Sequence, residues 1–478
     1  MIVTLADGTQ LECEDDSFAE GGEGILYFDK VGKYVMKLYK TVEPQREAAL
    51  QKIIGTEYSV VLNGLTGTSE PYWDELFAWP KAIIVKPQLG LTMLRAPQGT
   101  MELKWFLGSK QREVIAKKHG ADKLGKWSNY LTLALKMARV VRRMHFRGLC
   151  HSDLSFRNFL ADPSTERLIL IDCDGLVVPG FLPPNVLGTP MCMAPELASQ
   201  MIHPNPNVHP STRTDLHALS TLVYWLLLRR HPLLGPKVHS PEPSLDEALS
   251  LGEKALFIEH PTDTSNHPPN LLSYTEVLTP AVQRLVQRAF VDGLHDPSKR
   301  PSAADWERFL LRMQDALVTC ENPKCFLGSF VLNPANFVNP GQKSKIVCHC
   351  GTPLTKFQTL PIFHFYQPKR GQTGHFQNDQ GYIMVGQPER NLYIWHADPA
   401  QAPGPGIDHQ PKATLKFDYR HNKWYFQNLG LPDVQLLDPA RLPRNVKLQD
   451  QVELTDGVRL LLGPPDHCRL AYVEMVRV

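Results

Sequence analysis

The chain has 478 residues, 42% of them hydrophobic and 21% charged, which supplies ample core and excludes a chain too polar to fold. Its 51 basic and 49 acidic side chains nearly cancel, so net charge gives no ground for nucleic-acid binding. The longest apolar run, LVYWLLL at 222–228, falls far short of a membrane span, and the start MIVTLADGTQ lacks the basic and apolar regions of a signal peptide, so a cytosolic chain of two or three domains is expected.

In chain order, MIVTL-ADGT-QLEC reads as two strands around an Asp-Gly turn. ILYFDKV and YVMKLY follow as strands, and EPQREAALQKII has helical period with Pro44 near its start. From about residue 129 the helices lengthen. NYLTLALKMARVVRRMHFRG keeps an apolar stripe and ends on Gly148, RLILIDCDG reads as a strand, and helices are predicted over 212–230, 279–291 and 302–319. A small β-rich lobe thus precedes a larger helical one. Beyond Cys320 comes a cysteine-bearing segment to about 355. Short strand patterns follow, among them GYIMVG, NLYIWHA, TLKFDY, KWYFQN and RLLLG, with a loop over 398–411, and these predict an all-β terminal domain.

The chemistry concentrates in GLCHSDLSFRNFL at 148–160. Asp153 and Asn158 lie five apart in a loop after a helix, and a strand ending at Asp172 follows. Phosphoryl transfer needs such a set: one carboxylate to orient or deprotonate an attacking hydroxyl, and a second carboxylate with an amide oxygen to hold Mg²⁺, a hard cation that takes oxygen ligands. An Asx-capped turn would explain H-x-D alone, but not the full HSDLSFRN followed by LIDCDG.

These segments resemble the protein-kinase superfamily, whose patterns are H-R-D-x-x-x-x-N and D-F-G. By position the resemblance makes Asp153 the catalytic base, Asn158 a magnesium ligand and Asp172 the main magnesium ligand. Asp174 stands where the family has glycine, and Asp172 is preferred for the metal because it follows LILI directly. Small-molecule phosphotransferases of the aminoglycoside type share the loop, so the loop alone does not choose. Three later segments resemble protein kinases specifically. GTPMCMAPEL at 188–197 is similar to the end of an activation segment. TDLHALSTLVYWLLLRRHPL at 214–233 is similar to the helix that anchors the catalytic loop through Asp215, which also implies a structural His151. DPSKRPSAADW carries Arg300, which the resemblance pairs with Glu196. On the nucleotide side, AEGGEGILYF offers Gly21, Gly22 and Gly24 for close backbone approach to phosphates, though a plain hairpin turn would look the same. YVMKLY offers Lys37 as the phosphate-gripping lysine, with Glu47 as its helix partner and Glu43 as the alternative. ATP and Mg²⁺ (or Mn²⁺) are the implied cofactors, and a protein hydroxyl the implied acceptor.

Departures from the family pattern carry expectations too. Ser152 replaces the arginine that meets a phosphorylated activation loop, and Thr189 is the one hydroxyl residue between Asp172 and Glu196, where the family uses it to bond the catalytic aspartate. Activity without activation-loop phosphorylation is therefore expected. Ser155 replaces the lysine usual in serine/threonine kinases, Arg157 sits as in tyrosine kinases, and the GTP before M-A-P-E favours serine/threonine.

The nine cysteines are expected as thiols or metal ligands. Cys320, Cys325, Cys348 and Cys350 form two close pairs, and VCHCGTPL resembles a zinc-ribbon knuckle, so a structural Zn²⁺ on four thiolates is expected, with His349 as a substitute ligand. The end of the chain resembles a divergent forkhead-associated domain, with Asn428 in the peptide-contacting place and Trp395 and Trp424 in the core. The fold class expected is thus α+β: a bilobal kinase fold over 1–318 (small lobe 1–98, helical lobe 99–318), a zinc ribbon over 319–355 and an all-β sandwich-like domain over 356–478. That order resembles the bacterial kinase of the tellurite-resistance-associated phosphorylation triad, which implies as partners a von Willebrand A-type protein and a metal-dependent protein phosphatase.

Overall fold

The computed structural model describes residues 1–41, 45–57, 61–62, 71–179, 188–333, 346–404, 407–437 and 442–478. It falls into two compact units, Met1–Gly125, Asn129–Leu271 and Leu285–Glu307 in the first, and Lys126–Ser128, Leu272–Arg284 and Arg308–Val478 in the second.

The first unit begins with β1 (Ile2–Leu5) and β2 (Gln10–Glu12), joined by the predicted Asp-Gly turn, where Gly8 takes φ +87° and Asp7 accepts from the Thr9 amide at 2.9 Å. With β3 (Ala19–Glu20), β4 (Gly24–Phe28), β5 (Tyr34–Tyr39), β6 (Pro80–Lys86) and β7 (Gly90–Leu94) they make an antiparallel sheet ordered β2-β1-β6-β7-β5-β4-β3. Alternation along β5 sets its two faces. Met36 and Leu38 pack with Val3, Leu5 and Ile84 on one side. Val35 and Tyr39 pack on the other with Leu91, Met93 and Leu50, the last from helix α1 (Arg46–Lys52). Lys37 lies between Val35 and Tyr39 in sequence, so it shares the face that α1 covers.

Helices dominate the rest of this unit. α2 (Trp127–His145) buries Leu131, Met137, Ala138, Val141 and Met144 along its stripe, and the turn after it uses Gly148 at φ +70°. α3 (Thr212–Leu228) starts from a capping box between Ser211 and Thr214 and is buried nearly all round, as a helix at the centre of a lobe must be. Between them, Phe159–Asp162 and Arg167–Leu170 form an antiparallel hairpin that delivers the segment after Leu170. The helix predicted over 302–319 is shorter: α4 (Ala303–Asp315), whose residues from Arg308 on belong to the second unit, ends at Asp315, and in that unit Leu317–Thr319 is a strand paired with Ser329–Val331.

In the second unit the cysteine segment belongs with the strands that follow it rather than standing as a separate body. Residues 126–128 and 272–284, expected with the helical lobe, also belong here: the Trp127 amide donates to the Leu327 carbonyl at 3.1 Å and Asn333 Nδ2 donates to the Thr275 carbonyl at 2.7 Å. From Thr359 on, described residues form a six-stranded and a four-stranded antiparallel sheet. Trp424 is fully buried here and its indole donates to the Thr359 carbonyl at 2.9 Å. NLYIWHA, read as a strand, departs from expectation. Only Asn391–Leu392 is extended, and Ile394–Ala397 is one helical turn, because the His396 ring accepts from the Tyr393 amide at 2.8 Å and caps it. Trp395, expected in the core, is half-buried and stacks on Tyr393 with ring centroids 4.5 Å apart.

Candidate active site

The loop after α2 is held from beneath by α3. Asp215, 2% exposed, accepts from the His151 amide at 2.9 Å and pairs with the His145 ring at 3.0 Å. The His151 ring is buried and works at both ends. Its Nδ1 accepts from the Asp153 amide at 3.2 Å, so Nε2 carries the proton and donates to the Ile171 carbonyl at 3.1 Å. One histidine therefore fixes the backbone at Asp153 and the strand end that leads to Asp172.

Asp153 accepts three hydrogen bonds at its carboxylate: the Thr189 amide at 2.7 Å on Oδ1, the Thr189 hydroxyl at 3.1 Å and the Asn158 amide nitrogen at 3.2 Å on Oδ2. Asn158 Nδ2 also donates to the Asp153 carbonyl at 2.8 Å. With its nitrogen so engaged, the Asn158 amide oxygen is left for another partner. The Ile171 amide donates to the Asn158 carbonyl at 2.9 Å, which ties this loop to the next.

Asp172 has φ 60° and ψ 34°, a left-handed backbone that aspartate tolerates better than most residues. Its carboxylate accepts from Lys37 Nζ at 2.7 Å. Lys37 Nζ also lies 2.9 Å from Asp174 and 3.6 Å from Glu23. Burial opposes the Lys37 charge, but Asp174 and Asp172 hold its pKa above the usual lysine value. Burial and the neighbouring Asp174 raise the Asp172 carboxyl. Asp174 is 4% exposed; burial opposes its charge as well, yet Lys37 and Arg46 hold its carboxyl below the usual carboxylate range.

Lys37, Asn158 and Asp172 all face one cavity of about 620 Å³, a volume suited to a nucleotide. Gly21, Gly22 and Gly24 line it, as do Met93 and Pro97. The three glycines differ. A Cβ on Gly24 would stand 2.7 Å from the Leu38 carbonyl oxygen, so strand packing alone requires that glycine, whereas Gly21 and Gly22 have open space beside them.

Glu47 requires a correction. It is exposed and accepts from Gln51 at 3.3 Å; it does not meet Lys37. The alternative, Glu43, lies outside the described residues. The residue of α1 that turns inward is Arg46, whose Nη2 lies 2.7 Å from Glu23 and 3.0 Å from Asp174. Sequence reading missed Arg46, Glu23, Tyr39 and the role of Asp174. The one available signal was an aspartate where the family pattern has glycine.

Away from the cavity, Arg300 and Glu196 form a bidentate pair at 2.8 and 2.7 Å, and Arg300, with a fully buried side chain, also donates to the Gly293, Leu294 and Arg213 carbonyls. Glu196→Gln leaves that guanidinium underpaired and is expected to cost about 2 kcal/mol. Chemical denaturation at neutral pH checks it; an unchanged midpoint would show that the backbone carbonyls alone suffice.

In the second unit the sulfurs of Cys320, Cys325, Cys348 and Cys350 lie within 4.8 Å of one another. The Cys320–Cys350 and Cys325–Cys348 separations are 3.6 and 3.9 Å. Tetrahedral Zn–S bonds of about 2.3 Å put sulfurs roughly 3.8 Å apart, so the set fits Zn²⁺. His349 is not among the four. Asn428 departs from its expected place at a binding surface. It is 1% exposed, and its amide is consumed by the Leu431 and Val446 carbonyls and the Gly430 and Leu431 amides.

No family model matches the chain. Among curated proteins it is 30% identical over 175 residues to a dual serine/threonine and tyrosine protein kinase of Apis mellifera, a match covering 37% of this chain and 16% of the relative. No described helix is long and apolar enough to cross a membrane.

Proposed function

We propose that this chain is an ATP·Mg²⁺-dependent protein kinase that phosphorylates serine or threonine hydroxyls. One observation carries the reading: Lys37, Asn158 and Asp172 face a single nucleotide-sized cavity, and Asp153 is hydrogen-bonded to Asn158 beside it. In this reading Asp153 receives the proton of the acceptor hydroxyl. The Asn158 amide oxygen and the Asp172 carboxylate hold Mg²⁺, Lys37 grips phosphate, and Gly21 and Gly22 let the backbone come close. Residues 93–97 border the adenine. The nucleotide supplies the phosphoryl group and the cation neutralises charge as it develops. The similarity to the bee kinase supports the class, and that relative's name carries both acceptor specificities.

Activity is proposed to be independent of activation-segment phosphorylation. Ser152 stands where the family has arginine, and its hydroxyl is used on the Gly175 carbonyl at 2.9 Å. Thr189 is 6% exposed with its amide and hydroxyl both on Asp153, so a phosphate on the hydroxyl would remove that donor and set two anions side by side. Active enzyme is expected to carry no stoichiometric phosphate on Thr189 by intact-mass and peptide analysis, and Thr189→Ala to lower the rate about tenfold, as loss of one positioning hydrogen bond to a reacting carboxylate does. An activating phosphate found on Thr189 would end this part of the proposal.

The four cysteines are proposed to hold structural Zn²⁺, and the strands after them to form a forkhead-associated-like contact module. The order of these parts supports kinship with cytoplasmic bacterial kinases of the tellurite-resistance-associated triad, with a von Willebrand A-type protein and a metal-dependent phosphatase as partners. Because Asn428 is consumed internally, contact through it with a phosphopeptide is not part of the reading.

The test is transfer of labelled γ-phosphate from ATP·Mg²⁺ to the protein itself and to a generic protein acceptor, followed by phosphoamino-acid analysis. Label on serine or threonine is expected. Label on tyrosine would reassign the acceptor and give the exposed Arg157 a role. ATP binding without transfer to any protein would point to a small-molecule acceptor or a non-catalytic scaffold.

A further inference from the structure

A lysine that must aim at a phosphate needs an anion to hold it, because its ammonium rides on four flexible bonds. In the resemblance drawn above, that anion is a helix glutamate. Here α1 turns a cation inward instead: Arg46 faces Lys37's surroundings and Glu47 faces solvent. Successive helix positions differ by about 100°, so bringing Glu47 in would turn Arg46, and its bonds to Glu23 and Asp174, out.

The anion comes from another element. Cys173–Gly175 is a short 3₁₀ turn that carries Asp174 back towards β5. Asp174 Oδ2 accepts from Lys37 Nζ at 2.9 Å, Tyr39 Oη at 2.6 Å and Arg46 Nη2 at 3.0 Å. Among the described residues the buried Oδ1 has no partner, so the described bonds of this carboxylate all pass through the oxygen that Lys37 shares. Tyr39 and Lys37 lie two apart on one face of β5, which puts both donors on the same side of the sheet.

We infer that Asp174, not a residue of α1, is the positioning residue for Lys37, with Tyr39 and Arg46 holding it in place. This rests on the kinase reading for its catalytic consequence, but the pairing itself does not. The lysine's anchor is two residues from the proposed metal ligand Asp172. Alignment of Lys37 and placement of Asp172 therefore rise and fall together, and rotation of α1 is not needed for either.

The test has two arms on the full chain. Without nucleotide, a double-mutant cycle of Lys37→Met and Asp174→Asn is followed by thermal unfolding. Tyr39 and Arg46 still donate to Asp174 when Lys37 is gone, so the Asp174 change should keep part of its cost, and the double variant should lose clearly less than the sum of the two single losses. Additive losses would overturn the inference whatever the protein does with ATP. With nucleotide, Asp174→Asn should lower kcat about thirtyfold and change KM for ATP less than threefold, whereas Glu47→Gln should leave both unchanged. The reverse pattern, a loss at Glu47 and none at Asp174, would also overturn it. Should Asp174→Asn not fold, Tyr39→Phe takes its place: a kcat at least threefold lower supports the inference, and an unchanged kcat defeats it. Coupling in the first arm with no nucleotide binding by the unmodified chain would support the pairing and defeat the kinase reading alone.

Discussion

Asp153→Asn should lower phosphoryl transfer about a thousandfold, the middle of the range for removing a general base from a hydroxyl attack. ATP binding should stay within twofold, because Asp153 is not among the residues that line the nucleotide-sized cavity. The change is small in shape and large in chemistry. Oδ1 would still accept from the Thr189 amide, and the Thr189 hydroxyl can rotate to donate or accept. The Asn158 nitrogen would then face another amide nitrogen where it now meets Oδ2 at 3.2 Å, costing stability on the order of 1 kcal/mol. Initial rates with labelled ATP, calorimetric titration of ATP and a melting curve separate the three effects. Transfer that survives at a tenth of the original rate would take the base role from Asp153 and leave it as a scaffold for Thr189.

The second large effect concerns the cysteines. The purified chain should carry one equivalent of Zn²⁺, and Cys325→Ser should lose it. Structural Zn²⁺ on such ligands contributes on the order of 10 kcal/mol to the segment it organises. Two tight turns carry the thiolates. In one the Gly328 amide bonds the Cys325 carbonyl, and in the other the Gly351 amide bonds the Cys348 carbonyl with Gly351 at φ +84°. Phe326 in the first turn is 73% exposed, and besides the proposed metal the two segments are joined through Glu321, which accepts from the Thr355 and Lys356 amides at 2.9 and 2.6 Å. Hydrogen exchange over 320–333 and 346–355 should rise at least tenfold on chelation or in Cys325→Ser. A chain that contains no Zn²⁺ and protects these amides equally well would defeat the assignment.

How much of this was legible in the sequence depends on what each residue's neighbours are. The loop from His151 to Asn158 and the pairing of Arg300 with Glu196 could be read because their spacing is short or their motifs are specific. The structure brings Arg300 to Glu196 across 104 residues. The phase of α1 could not be read. Seven residues give two turns, and Arg46 and Glu47 are both acceptable on either face until the partners on β5 and after Asp172 are known. Asn428 failed for a related reason: an asparagine that binds a peptide and one that braces a buried turn have the same letter. The turn at Ile394–Ala397 hid because its residues suit a strand and only the His396 cap decides otherwise. The four cysteines could be read as one set despite their irregular spacing, because close thiol pairs in a knuckle-like segment leave few other partners, and the structure gathers their sulfurs within 4.8 Å.

The contacts at Lys37 also bear on when the site can exist. Its two carboxylate partners lie 135 and 137 residues further along the chain, and Arg300 closes on Glu196 later still. At a ribosomal rate of about 5–20 residues per second, Lys37 waits on the order of ten seconds before either aspartate has been made. During that interval the β5 face exposes an ammonium to water without Asp172 and Asp174 beside it, and the cavity lacks the side that Asp172 lines. On the kinase reading proposed above, nascent chains cannot consume nucleotide until synthesis has passed Asp215, which holds the His151 loop, so a ribosome stalled just beyond the Asp174 codon should still carry an inert intermediate.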